Sequence, residues 1–291
     1  MRVLGVGVAT LDIVDTVERF PTEDLEIRAE SRRLSRGGNA ATTLVVLSQF
    51  GHECSWAGAL ADDASAQQIV ADFSLHGIDI SWAETYQSSV TPTSYILLSR
   101  ESASRTIIHY RDLPEFDHEA FSAIDLNGYD WIHFEGRNVP HCGQMLTQVR
   151  QLKDQIKVSL EVEKPREGIE ALFPLADVLI FSRAYVEAAG YEDPRKLFSS
   201  VRRDNPSASL FAAWGEEGGW CFPVDDKAHF SSAHHPRQVC DTLGAGDVFN
   251  AGVIHSLASG NSAKEALDKA IKLAGLKCGQ IGFEGLGDLD V

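Results

Sequence analysis

Six short runs of apolar, often β-branched residues recur along the chain with helical patterns between them. They read VLGVGVA at 3–9, CSWAGAL at 54–60, WIHF at 131–134, KVSLEV at 157–162, DVLIFS at 177–182 and SLFAAW at 209–214. A strand that is apolar along its whole length, and not only at alternate residues, is covered on both faces, and strands that alternate with helices pair in parallel. The pattern predicts a three-layer αβα domain. Two segments break the rhythm: LEIRAESRRLS at 25–35, and the runs TSYILLS and RTIIHY, which start at Thr93 and Arg105 and are joined by a turn-like RESAS. These are amphipathic, and the second pair reads as a hairpin. They are expected to form one small β lid, residues 12–35 and 88–113, standing off a main domain of residues 1–11, 36–87 and 114–291.

The charge narrows the partners. Against 26 Lys and Arg stand 42 Asp and Glu, a formal charge of −16 over 291 residues. A field of that sign argues against duplex nucleic acid and anionic membrane, and an anionic ligand would need a local exception. With 44% hydrophobic and 23% charged residues the composition is that of a folded globular protein. The five cysteines are widely spaced, without a C-x-x-C pair, and read as reduced thiols. Neither a signal peptide nor an apolar stretch of membrane-spanning length stands out, so a cytoplasmic location is expected.

The most informative segment is Asp241-Thr242-Leu243-Gly244-Ala245-Gly246-Asp247, followed by an apolar helical pattern (Val248, Phe249, Ala251, Val253, Ile254, Leu257). A glycine turn running into a helix N-terminus leaves N–H groups free and places the positive end of the dipole among them, which makes an anion hole. Asp247 projects from that turn. On spacing alone an acidic residue there could equally do no more than favour the dipole. An anion hole beside a carboxylate suits phosphoryl transfer, the N–H groups holding charge while the carboxylate takes the acceptor's proton.

With GG-N-A at 37–40, SRTI at 104–107, WIHFEGRN at 131–138, EVEKPRE at 161–167, AWGEEG at 213–218, DTLGAGD at 241–247 and KCG at 277–279, the chain resembles the ribokinase-like (PfkB) carbohydrate kinases, in particular their ketohexokinase branch. The motifs keep their order along essentially the whole chain. The resemblance implies ATP-dependent phosphorylation of a ketohexose, with ATP and Mg²⁺ as cofactors and a homodimer formed through the β lid. It makes Asp247 the general base and Gly244, Ala245 and Gly246 the anion hole. It assigns Asp12, Gly38, Asn39, Thr42 and Asn138 to the sugar and gives Asp24 to the sugar of a neighbouring subunit. Arg105, Trp214, Gly215, Glu216, Gly218 and Cys278 are assigned to ATP. Glu161 and Glu163, at a strand end, are candidates for orienting Mg²⁺ or its waters, the other reading being solvent-facing strand ends.

The family's N-x-x-E motif is replaced by Ser182-Arg183-Ala184-Tyr185, and Thr42 stands where the ketohexokinase branch has a second Asn, a shorter group with fewer hydrogen bonds to offer a sugar. The acceptor alternatives are a phosphorylated or sulfonated ketose, a pentose or a nucleoside. The alternative from another class is a sugar or nucleotide sensor without turnover. GVGVAT at 5–10 lacks the third glycine of a dinucleotide fingerprint, and no G-x-x-x-x-G-K-[ST] occurs. An apolar lid face bearing Ile27, Tyr95, Leu97 and Ile107 is expected to be what a second copy covers.

Overall fold

The computed structural model describes residues 1–102, 104–152, 156–224 and 227–289. In chain order its elements are β1 (Arg2–Val6), β2 (Thr10–Val17), β3 (Ser31–Gly37), α1 (Asn39–Gln49), β4 (Glu53–Ala57), β5 (Ala59–Ala61), α2 (Ala64–Leu75), β6 (Glu84–Tyr86), β7 (Thr93–Ser99), β8 (Arg105–Tyr110), α3 (His118–Ser122), β9 (Trp131–Glu135), α4 (Val139–Arg150), β10 (Lys157–Val162), β11 (Val178–Ser182), α5 (Arg183–Ala188), α6 (Pro194–Asp204), β12 (Ser209–Ala213), β13 (Gly218–Phe222), β14 (His229–Ser232), α7 (Ala245–Ala258) and α8 (Ala263–Cys278). Eight strands form the main sheet in the order β14-β13-β12-β11-β10-β9-β1-β4, and β3-β2-β7-β8 form a separate sheet.

The apolar runs behave as a doubly covered sheet requires. Leu4, Ile132, Phe134, Val158 and Leu160 pack on one face with residues of α3, α4, α5 and α6. Val3, Trp131, Ile180 and Phe211 pack on the other with α1, α2, α7 and α8. Helix α1 is buried at every residue from Ala40 to Leu47, so it is wedged between sheet and neighbouring helices and shows no polar face.

Four local expectations are corrected. The run read at 3–9 stops as a strand at Val6, and the chain has already entered β2 of the second sheet at Thr10, with Asp12 its third residue. The switch is hidden in the sequence because Val8, Ala9 and Leu11, on both sides of it, are all buried. CSWAGAL breaks at Gly58 into β4 and β5. Of the segment 25–35 only the part from Ser31 is strand, since its partner β2 ends at Val17 and the pairing runs out at Thr16 and Ser31. The main sheet is parallel from β4 to β12 but gains an antiparallel edge, β13 and β14, because connections as short as 214–217 and 223–228 cannot hold a crossover helix. The hairpin of β7 and β8 pairs antiparallel; Ala103 in its RESAS turn lies outside the described residues. Among the described residues no helix is long and apolar enough to cross a membrane.

Candidate active site

A cavity of about 620 Å³ opens between the second sheet and the carboxyl ends of β9, β10, β11 and β12, where open α/β sheets place their ligands. Its lining includes Asp12, Gly38, Asn39, Thr42, Arg105, Gly244, Ala245, Gly246 and Asp247. Residues from Val8 to Glu284, close to the two ends of the chain, thus share one hollow.

The turn before α7 is built for an anion. Gly244 caps the helix at φ +76, a conformation a side chain resists, and a Cβ there would lie 2.5 Å from the Phe283 ring. Ala245 N–H returns to the Thr242 carbonyl at 3.3 Å, and Leu243 N–H bonds the Asp241 carboxylate at 2.9 Å. The N–H groups of Thr242, Gly244, Gly246 and Asp247 donate to no acceptor among the described residues. Unpaired donors at a helix N-terminus form an anion site, reinforced by the dipole. Two arginines of the second sheet reach the same turn, Arg33 to the Asp241 carboxylate at 2.9 Å and Arg105 to the Thr242 hydroxyl at 3.0 Å.

The second sheet presents one row to the cavity. Ser35, Asp12, Ser94 and His109 are in register across β3, β2, β7 and β8, and the next row along, Arg33, Ile96 and Ile107, faces the same way. Asp12 is buried and accepts from the Thr10 hydroxyl at 2.9 Å. Burial holds its carboxyl above the ordinary range, opposed by the Thr10 and Ser94 hydroxyls and by Arg36. His109 bonds Ser94 at 3.2 Å, and burial, then Arg137 and Arg111, lower its proton affinity. Across the cavity Gly38 (φ +103) leads into α1, where a Cβ would collide with the Val8 carbonyl oxygen, so that only glycine fits. Thr42 accepts a hydrogen bond from Arg36 at 3.0 Å, which leaves its own O–H as the free group.

Carboxylates cluster behind Asp247. Glu161 is buried, accepts from Asn250 at 2.9 Å, and has its Oε2 buried without a partner. Burial, then the charges of Glu135 and Glu163, push it up to about 8. Asp247 is held well above the ordinary carboxylate range by burial first and then by Glu161, Glu135 and Glu163. Among the described residues no group of three or more His, Cys, Asp or Glu is gathered closely enough to hold a metal. Oxygen ligands beside an anion-binding turn, one of them an orphaned buried carboxylate oxygen, nevertheless suit Mg²⁺, which keeps several waters and binds chiefly to substrate phosphates. Glu161 and Glu163 fit as partners of those waters. The expectation of solvent-facing strand ends is wrong for Glu161.

Other assigned residues lie off this cavity's lining. Asn138 is the left-handed residue before α4 (φ +41), and its amide donates to the Phe116 carbonyl at 3.1 Å. Of AWGEEG only Ala213 lines the cavity. Trp214 is a core side chain under Arg183, Gly215 (φ +62) and the exposed Glu216 form the turn after β12, and Gly218 (φ +128) turns the chain into β13. Cys278 closes α8, and its carbonyl accepts from Cys240 and Asp241. Asp24 lies in an exposed loop at φ +62, away from this chain's cavity; the role assigned to it belongs to a neighbouring subunit's site. Sequence reasoning passed over Ser35, Ser94, His109, Asn250 and the segment 281–284, all of which line the cavity. The period-two rows of the second sheet carried a signal for the first three. Nothing local marked 281–284.

Three comparisons bear on the whole. Residues 2–285 match the sequence profile described as pfkB family carbohydrate kinase. The chain is 39% identical over 296 aligned positions to a ketohexokinase of Mus musculus, covering 98% of both chains. It is 24% identical to an ATP-dependent ribose-1-phosphate kinase of Halopiger xanaduensis, covering 97% and 93%. Among solved structures it superposes on a putative ribokinase from Agrobacterium tumefaciens with a TM-score of 0.84 at 24% identity, covering 97% of this chain and 92% of that one. The ribokinase of Arabidopsis thaliana complexed with ribose and ATP gives 0.76 at 20%, covering 96% and 93%; these are likenesses of fold.

Proposed function

The chain belongs to the pfkB family of carbohydrate kinases, and from that premise we propose that it transfers the γ-phosphoryl group of ATP to a ketohexose, D-fructose, at O1. The observation that carries the choice of sugar is the end-to-end likeness to mouse ketohexokinase at 39% identity.

In this reading Asp247 takes the proton of the attacking hydroxyl, and the proton affinity that burial and its acidic neighbours give it suits a base. The free N–H groups from Thr242 to Gly246 hold the charge that builds on the migrating group; losing one such donor typically costs about 10²–10³ in rate. Asp12 and Asn39 hold the sugar hydroxyls, and Thr42, its oxygen already engaged by Arg36, donates to a sugar oxygen. Arg105 serves the nucleotide phosphates from the second sheet. Mg²⁺, when bound, neutralises phosphate charge, with Glu161 and Glu163 holding its waters. The second sheet acts as a lid that keeps water from the phosphoryl group.

The far side of that lid supports a homodimer. Leu34, Ile13, Tyr95 and Ile108 form one row across its four strands, and Leu34, Tyr95 and Ile108, with Tyr110 on the neighbouring row, are each half or more exposed. An apolar sheet face of this kind is costly in water. Ile107, expected on this face, points into the cavity instead, and Ile27 lies outside the sheet.

The test is ADP release with ATP and Mg²⁺ over a panel of ketoses, aldoses, sugar phosphates and nucleosides, for wild type beside Asp247→Asn. Turnover on fructose, lost by several orders of magnitude in the variant, is the expected result. Preference for another acceptor would move the specificity to Thr42 and the lid row. Unchanged activity in Asp247→Asn would overturn the mechanism, and ATP binding without turnover on any acceptor would favour a sensor.

A further inference from the structure

One buried charge has no part in the chemistry described so far. Lys277, in the last turn of α8, is 0% exposed, and a lysine is almost never buried to that extent unless it is paired. Its ammonium donates to the main-chain carbonyl of Asp241 at 2.7 Å and lies 3.3 Å from the same residue's carboxylate. It also sits 5.4 Å over the Phe283 ring. Phe283 is the ring against which the Gly244 backbone is pressed. A single ammonium therefore holds both the first residue of the anion-binding turn and the wall behind its fourth.

The peptide geometry gives this contact a direction. The Asp241 carbonyl and the Thr242 N–H belong to one planar trans peptide and point opposite ways. Fixing the carbonyl on Lys277 fixes the N–H on the far side, and that N–H is among those with no acceptor among the described residues. The Asp241 carboxylate is in turn fixed by Leu243 N–H at 2.9 Å and by Arg33 of the lid at 2.9 Å. Asp241 is therefore tied to the turn, to the lid and to α8 together, and Lys277 is the α8 tie.

We infer that Lys277 is a positioning residue for phosphoryl transfer: it orients the 241–246 turn through Asp241 and Phe283, without touching the acceptor. The inference rests on the kinase reading and goes beyond it, since nothing in the motif itself points to a lysine on another helix. A surface ion pair would do no such work. This one is sealed from water, so the turn cannot relax without leaving the ammonium buried and unpaired.

The test compares wild type with Lys277→Met, which keeps the length and apolar stem, and Lys277→Gln, which keeps a donor for the carbonyl. Folding is checked by circular dichroism and melting. In folded Lys277→Met, kcat should fall about 10- to 100-fold, the cost of a displaced donor set. KM for the acceptor should stay within about threefold, because Asp12, Asn39 and Thr42 are held by other elements. Lys277→Gln should recover part of kcat, which a merely structural loss would not show. Calorimetry without acceptor gives an independent readout: Lys277→Met should weaken ATP about tenfold while ADP, lacking the γ-phosphoryl group, changes little. Wild-type kcat and ATP affinity in a folded Lys277→Met would overturn the inference. If wild type itself turns over no acceptor, the kinase reading fails and the ATP-to-ADP comparison still judges Lys277. Should the Met variant not fold, the same readings on Lys277→Gln decide, wild-type values again overturning it.

Discussion

Gly244→Ala isolates the backbone that makes the anion hole. The glycine sits at φ +76, where an L side chain costs about 1–2 kcal/mol. The added methyl would lie 2.5 and 2.6 Å from two carbons of the Phe283 ring, against 3.4–4 Å for ordinary contact, so ring and turn must part by about 1 Å. Overpacking of that size costs about 1–3 kcal/mol. The total, about 2–5 kcal/mol, corresponds to a fall in Tm of about 3–8 °C at the sensitivity expected for a chain of this size. A 1 Å displacement at the donors should lower kcat about 10²-fold. Circular dichroism melts and steady-state turnover measure both. The clash is separable from the backbone term by adding Phe283→Ala: if the ring is the obstacle, the double variant recovers part of the loss, a non-additivity that a double-mutant cycle reads directly. A Gly244→Ala enzyme melting within about 2 °C of wild type and keeping kcat within about threefold would refute the argument that this φ and this contact define the site.

Two further outcomes follow from the carboxylate cluster and the lid face. Burial pushes Glu161 up to about 8, so between about pH 4.5 and 8 the native protein holds a proton that the unfolded chain has released. Stability must then fall as pH rises through that window, by a few kcal/mol in all. Glu161→Gln lacks this proton, and its Tm should decline less than that of wild type between pH 5 and 8; parallel profiles would contradict the assignment. With one acidic neighbour gone Asp247 ionises more easily, so the acid limb of the kcat/KM profile should move to lower pH. On the lid, Tyr95→Glu combined with Ile108→Asp places two charges in the exposed apolar row, and light scattering should show a monomer where wild type is a dimer; a wild-type monomer would remove the proposed interface.

Much of this protein was legible in its residues because the signals were local. A doubly buried strand must be apolar along its length, so the parallel part of the sheet could be read from six short runs. A glycine turn on a helix N-terminus leaves N–H groups free, so DTLGAGD pointed to an anion site with Asp247 beside it. Other assignments met a different setting. Asn138 and Trp214, given to sugar and nucleotide by resemblance, lie off the lining of the cavity. The fold spends Asn138 on a left-handed turn and Trp214 on the core, and only packing distinguishes those uses from binding.

The sequence by itself determined the layers of the domain, the turn that can hold a phosphoryl group and the carboxylate beside it, since each depends on periodicity or on backbone freedom within a few residues. The tertiary structure alone decided what surrounds that turn. The row of Ser35, Asp12, Ser94 and His109 exists because four strands pair in one register, and the raised proton affinity of Asp247 comes first from burial and then from carboxylates on β9 and β10 and the segment after β10. The turn is held by a lysine 36 residues beyond Asp241. Register, desolvation and charge coupling act across space between residues far apart in the chain, so no local pattern announces them.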